Sequence, residues 1–277
     1  MSDDPLACRA RSASPAAATA GRAAPTSPGA GAPRALISST DNARVRELVA
    51  LRSSRERRRR GLFLAEGARE VERAAAAGLR VLEAFYAPAL IDWPGGQAVS
   101  ERVLAKLAYR AKPEGVVALV EAPRFSLPRG GTLYLVAVGL EKPGNLGAIA
   151  RSAEAAGADA LLVAEAHADP FNPNAIRSST GAVFTLPIVE SSLEEVLGLG
   201  VSLLAAVPGG GAAHSDTDLV RPVAIAVGAE DRGLPERWRQ AAAAELSIPI
   251  RSGASAESLN AAVAAAILLF EAVRQRA

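Results

Sequence analysis

Hydrophobic and polar positions change rhythm several times along the 277-residue chain. Residues 1–34 carry almost no large apolar side chain; Ala, Pro, Ser, Gly and Arg fill them, and such a segment buries too little surface to offset the entropy of ordering. They are expected to form a disordered basic arm. From Ile37 the texture is that of a folded unit. Thr40 or Asp41 stands where it can cap a helix running to Ala50, residues 62–64 and 81–86 have strand-like runs, and a helix over 68–77 is stopped by Gly78. Ser100 can cap a further helix to Tyr109, and residues 116–120 form a short β-branched run. This alternation predicts a small α/β domain over 35–121. Two prolines and a Gly-Gly pair then mark 122–131 as a linker.

Residues 132–277 repeat the strand-helix alternation on a larger scale. Apolar strand candidates lie at 133–138, 160–163, 201–207, 223–227 and 246–250, most of them separated by helical patterns. Near-continuous apolar strands point to a mainly parallel sheet covered on both faces, and in such a sheet ligands bind at the carboxyl ends of the strands. The loops after those strands are therefore where chemistry is sought.

Composition narrows the classes. No apolar run approaches the roughly 20 residues that cross a bilayer, and the N-terminus lacks the apolar core of a signal peptide. The one cysteine, Cys8, offers neither a disulfide framework nor a Cys-based metal site, so a cytoplasmic protein without membrane or metal is expected. The net charge of +2 hides an asymmetry: residues 1–60 hold 12 arginines against five acids. A basic N-terminal end suits a polyanion.

The first strand-to-helix loop reads Gly139-Leu-Glu-Lys-Pro-Gly144-Asn145-Leu-Gly147 and opens a helix with apolar Leu146, Ile149, Ala150 and Ala153 at helical spacing. A phosphate-binding loop would need Lys and then Ser or Thr after Gly144, and the dinucleotide pattern G-x-G-x-x-G is also absent. Arg151 departs from the apolar stripe among small residues, where a fixed cationic fork suits a phosphate; a surface arginine beside a close helix contact reads equally well. The second loop is Gly228-Ala-Glu230-Asp-Arg-Gly233-Leu234. The third, Ile248-Pro-Ile250-Arg251, continues to Ser258-Leu259-Asn260 and an apolar final helix, which Ser258 is able to cap. A serine hydrolase would need G-x-S-x-G, which Gly253-Ala-Ser255-Ala-Glu257 breaks. The histidines, His167 and His214, read as loop residues, and His and Cys ligands for zinc are not clustered.

In order, N-x-G-x-x-x-R, G-x-E-x-x-G-L and I-P followed by S-L-N resemble the three motifs of the SpoU (TrmH) branch of the SPOUT RNA 2′-O-ribose methyltransferases, over roughly 133–275. Ile37-Ser-Ser-Thr-Asp-Asn42 and Gly61-Leu-Phe-Leu-Ala-Glu66-Gly67 resemble the substrate-binding domain, similar to ribosomal protein L30e, that often precedes this catalytic domain. The resemblance implies a trefoil knot, a homodimer, S-adenosylmethionine as cofactor and an RNA substrate, ribosomal RNA favoured over transfer RNA, with a role in antibiotic resistance open. It assigns catalysis to Asn145, Arg151, Glu230, Ser258 and Asn260, with Arg151 acting with the partner chain. Cofactor contacts fall to Val207, Gly228, Glu230, Ile248, Ile250 and Leu259. An RNA or phosphate contact falls to Arg177, and beside the substrate-binding domain the run Arg55, Arg57, Arg58, Arg59 and Arg60 is expected to contact RNA phosphates, a solvated charged face being the alternative. A transfer RNA methyltransferase and a non-catalytic RNA-binding protein on the same scaffold stay as alternatives. The chain departs from the family pattern in a longer loop over 249–258, carrying Arg251, and in Asn42-Ala43 where Asn-Pro is frequent.

Overall fold

The computed structural model describes residues 35–165, 168–251, 255 and 258–277, so the expected basic arm over 1–34 lies outside the described residues, as does His167. The chain enters at α1 (Ala43–Val49), whose N-cap is Asn42 rather than Thr40 or Asp41: the Asn42 carboxamide oxygen accepts from the Arg44 N–H at 2.9 Å. A short 3-10 turn leads into α2 (Ser54–Arg60), which ends on Gly61 in the left-handed region, φ 63°. Then follow β1 (Leu62–Glu66), α3 (Ala68–Ala76), β2 (Val81–Tyr86), the two-residue β3 (Gln97–Ala98), α4 (Glu101–Leu107) and β4 (Val116–Glu121). Ser100 caps α4 as the sequence predicts, its hydroxyl accepting from the Val103 N–H. The four strands form a sheet in the order β1-β4-β2-β3, antiparallel except for the β2/β3 pair.

The rest of the chain builds β5 (Leu133–Val138), α5 (Pro143–Ala155), β6 (Ala160–Ala164), α6 (Pro173–Ser179), β7 (Ile188–Glu190), α7 (Leu193–Leu197), β8 (Ser202–Ala206), β9 (Ala212–Ala213), β10 (Val223–Val227), α8 (Glu236–Ala241), β11 (Ala244–Ser247) and α9 (Ala261–Arg276). Its seven strands run in the order β7-β6-β5-β10-β8-β11-β9, every pair parallel. The central strands are apolar throughout because both faces are covered. Leu133, Leu135 and Ala137 of β5 join Val223, Ile225 and Val227 of β10 under α5 and α9, while Tyr134, Val136 and Val138 meet Ala224, Ala226, Val196 and Trp238 on the other face. The last strand stops at Ser247, short of the expected 250. Pro249 has no N–H to donate to a ladder, so the chain leaves the sheet before it.

The first of those cores does not end at the large sheet. Phe63, Ala65, Val71, Ala118 and Val120 of the N-terminal sheet belong to it together with Leu146, Ile149, Val183 and Phe184. Phe63 stacks between Phe171 and Phe184, with ring centroids 5.0 and 5.6 Å apart. Beside the stack, Arg57 corrects one expectation: it is buried, and its guanidinium is spent inside the protein rather than offered to RNA. Nη2 and Nε donate to Asp169 at 2.6 and 2.8 Å, and Nη1 donates to the carbonyls of Leu51 and Arg52 at 2.7 and 2.9 Å. The segment 122–131 is likewise fastened, since Tyr134 Oη donates to the Pro128 carbonyl and accepts from the Gly131 N–H.

Removing one member of a buried ion pair strands the other without solvent, at a cost of about 3–5 kcal/mol. Arg57→Ala or Asp169→Ala is therefore expected to lower unfolding stability by that amount in urea titrations. The double change Arg57→Met with Asp169→Leu is expected to lose less than either single change.

Candidate active site

Three loops at the carboxyl ends of parallel strands are brought together, each shaped by a glycine. After β5, Gly139 takes φ 68° and turns the chain into α5, which opens on Pro143. One turn into that helix, a Cβ on Gly147 would collide with the Ala175 carbonyl oxygen and with Ser178 Oγ, so α5 and α6 approach closely only because the residue is glycine. After β10, a Cβ on Gly228 would collide with the Gly233 carbonyl group. The loop closes through the Gly233 N–H donating to the Ala229 carbonyl at 2.9 Å, and it holds up Glu230 between them.

Glu230 is the meeting point. Its Oε2 accepts from Lys142 Nζ at 2.5 Å and its Oε1 from Asn145 Nδ2 at 2.6 Å, both residues standing at the start of α5. Oε1 also accepts from Asn260 Nδ2, while Asn260 Oδ1 caps α9 by accepting from the Ala262 and Val263 N–H groups. Three predicted polar residues thus share one hydrogen-bonded cluster, and the helix cap is Asn260, not Ser258. The Lys142 ammonium, with help from Asn145, holds the Glu230 carboxyl below the usual carboxylate range against the opposing effect of partial burial, and the same pair raises Lys142.

Beside this cluster opens a cavity of about 540 Å³. Val207, Gly228, Glu230, Ile248, Ile250, Ser258 and Leu259, all named from the sequence, line it together with Pro208 and Gly209. The wall formed by Ile248 and Ile250 exists because β11 stops early. Gly209 on the rim begins a run in which Gly209, Gly210 and Gly211 take successive positive φ values of 154°, 78° and 72°. A second clamp joins the same two loops, Arg232 Nη2 donating to Glu141 Oε1 at 2.8 Å. Lys142, Arg232 and the glycine run are not predicted from the sequence. Lys142 stands in the first motif, but there the spacing speaks only against a phosphate-binding loop.

The remaining predicted residues fall elsewhere. Arg151 is exposed on α5, one turn beyond Gly147, and does not line the cavity. Arg177 is exposed on α6, where Nη2 donates to Asn174 Oδ1 at 3.0 Å. Of the arginine run, Arg55 and Arg58 are exposed, Arg59 pairs with Glu56 and Arg60 with Glu47. His214 sits in a short 3-10 turn. Among the described residues no group of three or more His, Cys, Asp or Glu is arranged to hold a metal, and no helix is long and apolar enough to cross a membrane.

A parallel α/β sheet with a loop-built cavity at its strand ends defines the class. Comparison with known proteins narrows it: the sequence model of the SpoU rRNA Methylase family matches residues 132–270, and that of the MRM3-like substrate binding domain matches 42–118. The chain belongs to the SpoU rRNA methylase family. It is 35% identical over 262 residues to the 23S rRNA (uridine(2479)-2′-O)-methyltransferase of Streptomyces viridochromogenes, covering 85% of this chain and 91% of that one. The crystal structure of an RNA 2′-O ribose methyltransferase superposes with a TM-score of 0.75 at 43% identity, covering 87% of this chain and 99% of the other. The SpoU methyltransferase AviRb from Streptomyces viridochromogenes, crystallised with the cofactor AdoMet, gives 0.75 at 33%, covering 85% and 98%.

Because the folded-state value of Glu230 is lowered, its clamp contributes stability at pH above the ordinary carboxylate value of about 4.3 and loses it as the pH falls through the lowered value. Wild type is therefore expected to exceed Glu230→Gln in thermal stability at pH 7, with the difference shrinking as the pH is taken down towards 3. Melting curves of both proteins across that range check it.

Proposed function

We propose that this protein methylates the ribose 2′-hydroxyl of an RNA nucleotide, using S-adenosylmethionine, and that the RNA is 23S ribosomal RNA. The cavity carries this reading. Its size is that of a small-molecule site, its walls of Val207, Ile248, Ile250, Leu259 and Leu268 suit a flat aromatic base, and its backbone at 208–209 and 228–230 suits the polar groups of a nucleoside. These residues fit the cofactor, which when bound supplies an electrophilic methyl group for in-line displacement. The ribosomal substrate is supported by the family and by the Streptomyces relative, named for 23S rRNA.

The chain's own part is positioning. Glu230 holds Asn145 and Asn260 in fixed orientations, so the start of α5 and the cap of α9 frame one side of the cavity. Ser258 stands at the cavity edge, where its hydroxyl is able to contact the target nucleotide. Arg151, exposed on the same helix as Asn145, holds the target phosphate and sets the hydroxyl in line. A guanidinium does not lose its proton in a protein, so the hydroxyl proton passes to the phosphate or to an ordered water rather than to Arg151.

Topology and surface extend the proposal. The placement of β10 between β5 and β8, with β11 beyond β8, is the order that supports the trefoil knot expected of the family. On α9, Val263, Phe270 and Val273 remain exposed while the opposite side is buried, and an outward apolar stripe of this kind supports a homodimer. We take the cytoplasm, where ribosomes are made, as its compartment.

Arg151→Ala is expected to lower methyl transfer at least 100-fold while leaving S-adenosylmethionine affinity within a few-fold of wild type, an effect on the scale of a lost positioning contact. Single-turnover assays and titration calorimetry measure the two quantities. Loss of cofactor affinity with retained turnover would contradict a phosphate-holding role for Arg151.

A further inference from the structure

Between the N-terminal sheet and α6 lies a small cleft, and its exposed aromatic side chain, Tyr109, takes no part in the clamp or the cofactor cavity. Tyr109 follows α4 and is 52% exposed, yet its backbone is held firmly. The buried Glu66 carboxylate accepts from the backbone N–H of Tyr109 at 2.9 Å and of Arg110 at 3.2 Å. Arg52 donates to the carbonyls of Lys106 and Ala108 at 3.0 and 2.6 Å, fixing the residues just before the ring. On the far side of the loop, Gly67 at φ 96° leaves room for Glu114, whose carboxylate a Cβ would meet at 2.5 Å. An exposed aromatic on a strongly fastened loop is a rigid platform.

The charges around it divide into two sets. Arg110 is consumed internally by Glu66, Glu70 and Glu114. Lys112 and Arg177 are exposed, and Arg177 lines the cleft together with Tyr109, Pro173 and Asn174. From there α6 packs closely against α5. Ser178 Oγ donates to the Asn174 carbonyl at 2.8 Å, and Ser178 and Ala175 face Gly147 of α5, the helix that carries Asn145 and Arg151. An exposed ring that shares its cleft with Arg177, with the exposed Lys112 three residues further along the same loop, matches how proteins hold unpaired bases: the base stacks on the aromatic face and its phosphates meet the cations.

We propose that Tyr109 stacks an unpaired base of the substrate RNA next to the target nucleotide, with Arg177 and Lys112 on the flanking phosphates. Tyr109 is then a positioning and specificity residue, and the inference rests on the RNA-methylation reading. Base-aromatic stacking is worth roughly five- to 150-fold in affinity.

The test uses the full chain and an unmodified 23S ribosomal RNA transcript, comparing wild type with Tyr109→Ala, Tyr109→Phe and Tyr109→Trp. Expected are a rise of about tenfold in the KM for RNA in Tyr109→Ala, with the loss on KM rather than kcat, and recovery in Tyr109→Phe. Fluorescence of Tyr109→Trp is expected to be quenched by the transcript beyond any quench of Trp93 and Trp238 in wild type. An unchanged KM in Tyr109→Ala overturns the proposal, as do equal losses in Tyr109→Ala and Tyr109→Phe, which would mark a hydroxyl contact, or a changed oligomer size, which would mark a protein interface. If Tyr109→Ala fails to fold, the quench decides alone, its absence counting against. Wild type that neither binds nor methylates the transcript would defeat the methylation reading itself; active wild type beside an equally active Tyr109→Ala defeats only the inference.

Discussion

Three stretches far apart in the chain meet on one carboxylate. Glu230 takes hydrogen bonds from Lys142 and Asn145 at the head of α5 and from Asn260 at the head of α9, while its own loop is folded tightly by Gly228 and Gly233. A carboxylate with that many donors is strongly oriented, and each donor in turn fixes the helix it begins. The cavity beside it has a defined shape because of this clamp: its walls at 228–234 and 258–261 are the same segments that Glu230 ties together. The residues that resemble family motifs are thus largely parts of a framework that sets the shape of the cavity.

A second constraint sets what that framework sees. The N-terminal sheet does not hang from its linker; it shares a hydrophobic core with the catalytic sheet, sealed by the Phe63, Phe171 and Phe184 stack and by the buried Arg57–Asp169 pair. Such a pair adds little net stability compared with apolar packing, but it penalises any arrangement that separates its members. The spacing between the N-terminal sheet and the cavity on the C-terminal half is therefore fixed by the protein. Under the proposed function, that fixed spacing makes recognition a measured reach, with phosphate contacts setting register and unpaired bases supplying discrimination.

Much of this was legible in the sequence, and the exceptions have physical causes. The runs at 133–138 and 223–227 announce buried parallel strands because every residue in them is apolar, and the structure keeps them with the same bounds. Strands of two or three residues, Gln97–Ala98, Ala212–Ala213 and Ile188–Glu190, leave no periodic signal and are set by their neighbours in the sheet. Asn42 rather than Thr40 or Asp41 caps α1, since the cap depends on where the first turn starts, which competing side-chain oxygens one or two residues apart do not reveal. The arginine run misleads more deeply. Nothing local distinguishes Arg57 from Arg55 or Arg58; its partner Asp169 lies 112 residues away in another sheet's loop. At the site, the polar positions were readable as motifs, but the clamp that joins them is a tertiary fact, and so is the wall made by Ile248 and Ile250 once Pro249 ends the strand.

The central claim is the transfer itself, and labelled methyl from S-adenosylmethionine offered in parallel to total ribosomal RNA and total transfer RNA tests it, with nuclease digestion and mass spectrometry of the nucleosides. A 2′-O-methylated nucleoside from the ribosomal RNA alone is the expected result. Incorporation into transfer RNA would contradict the assigned substrate, and no cofactor binding with retained RNA binding would contradict the reaction and leave a non-catalytic RNA-binding protein.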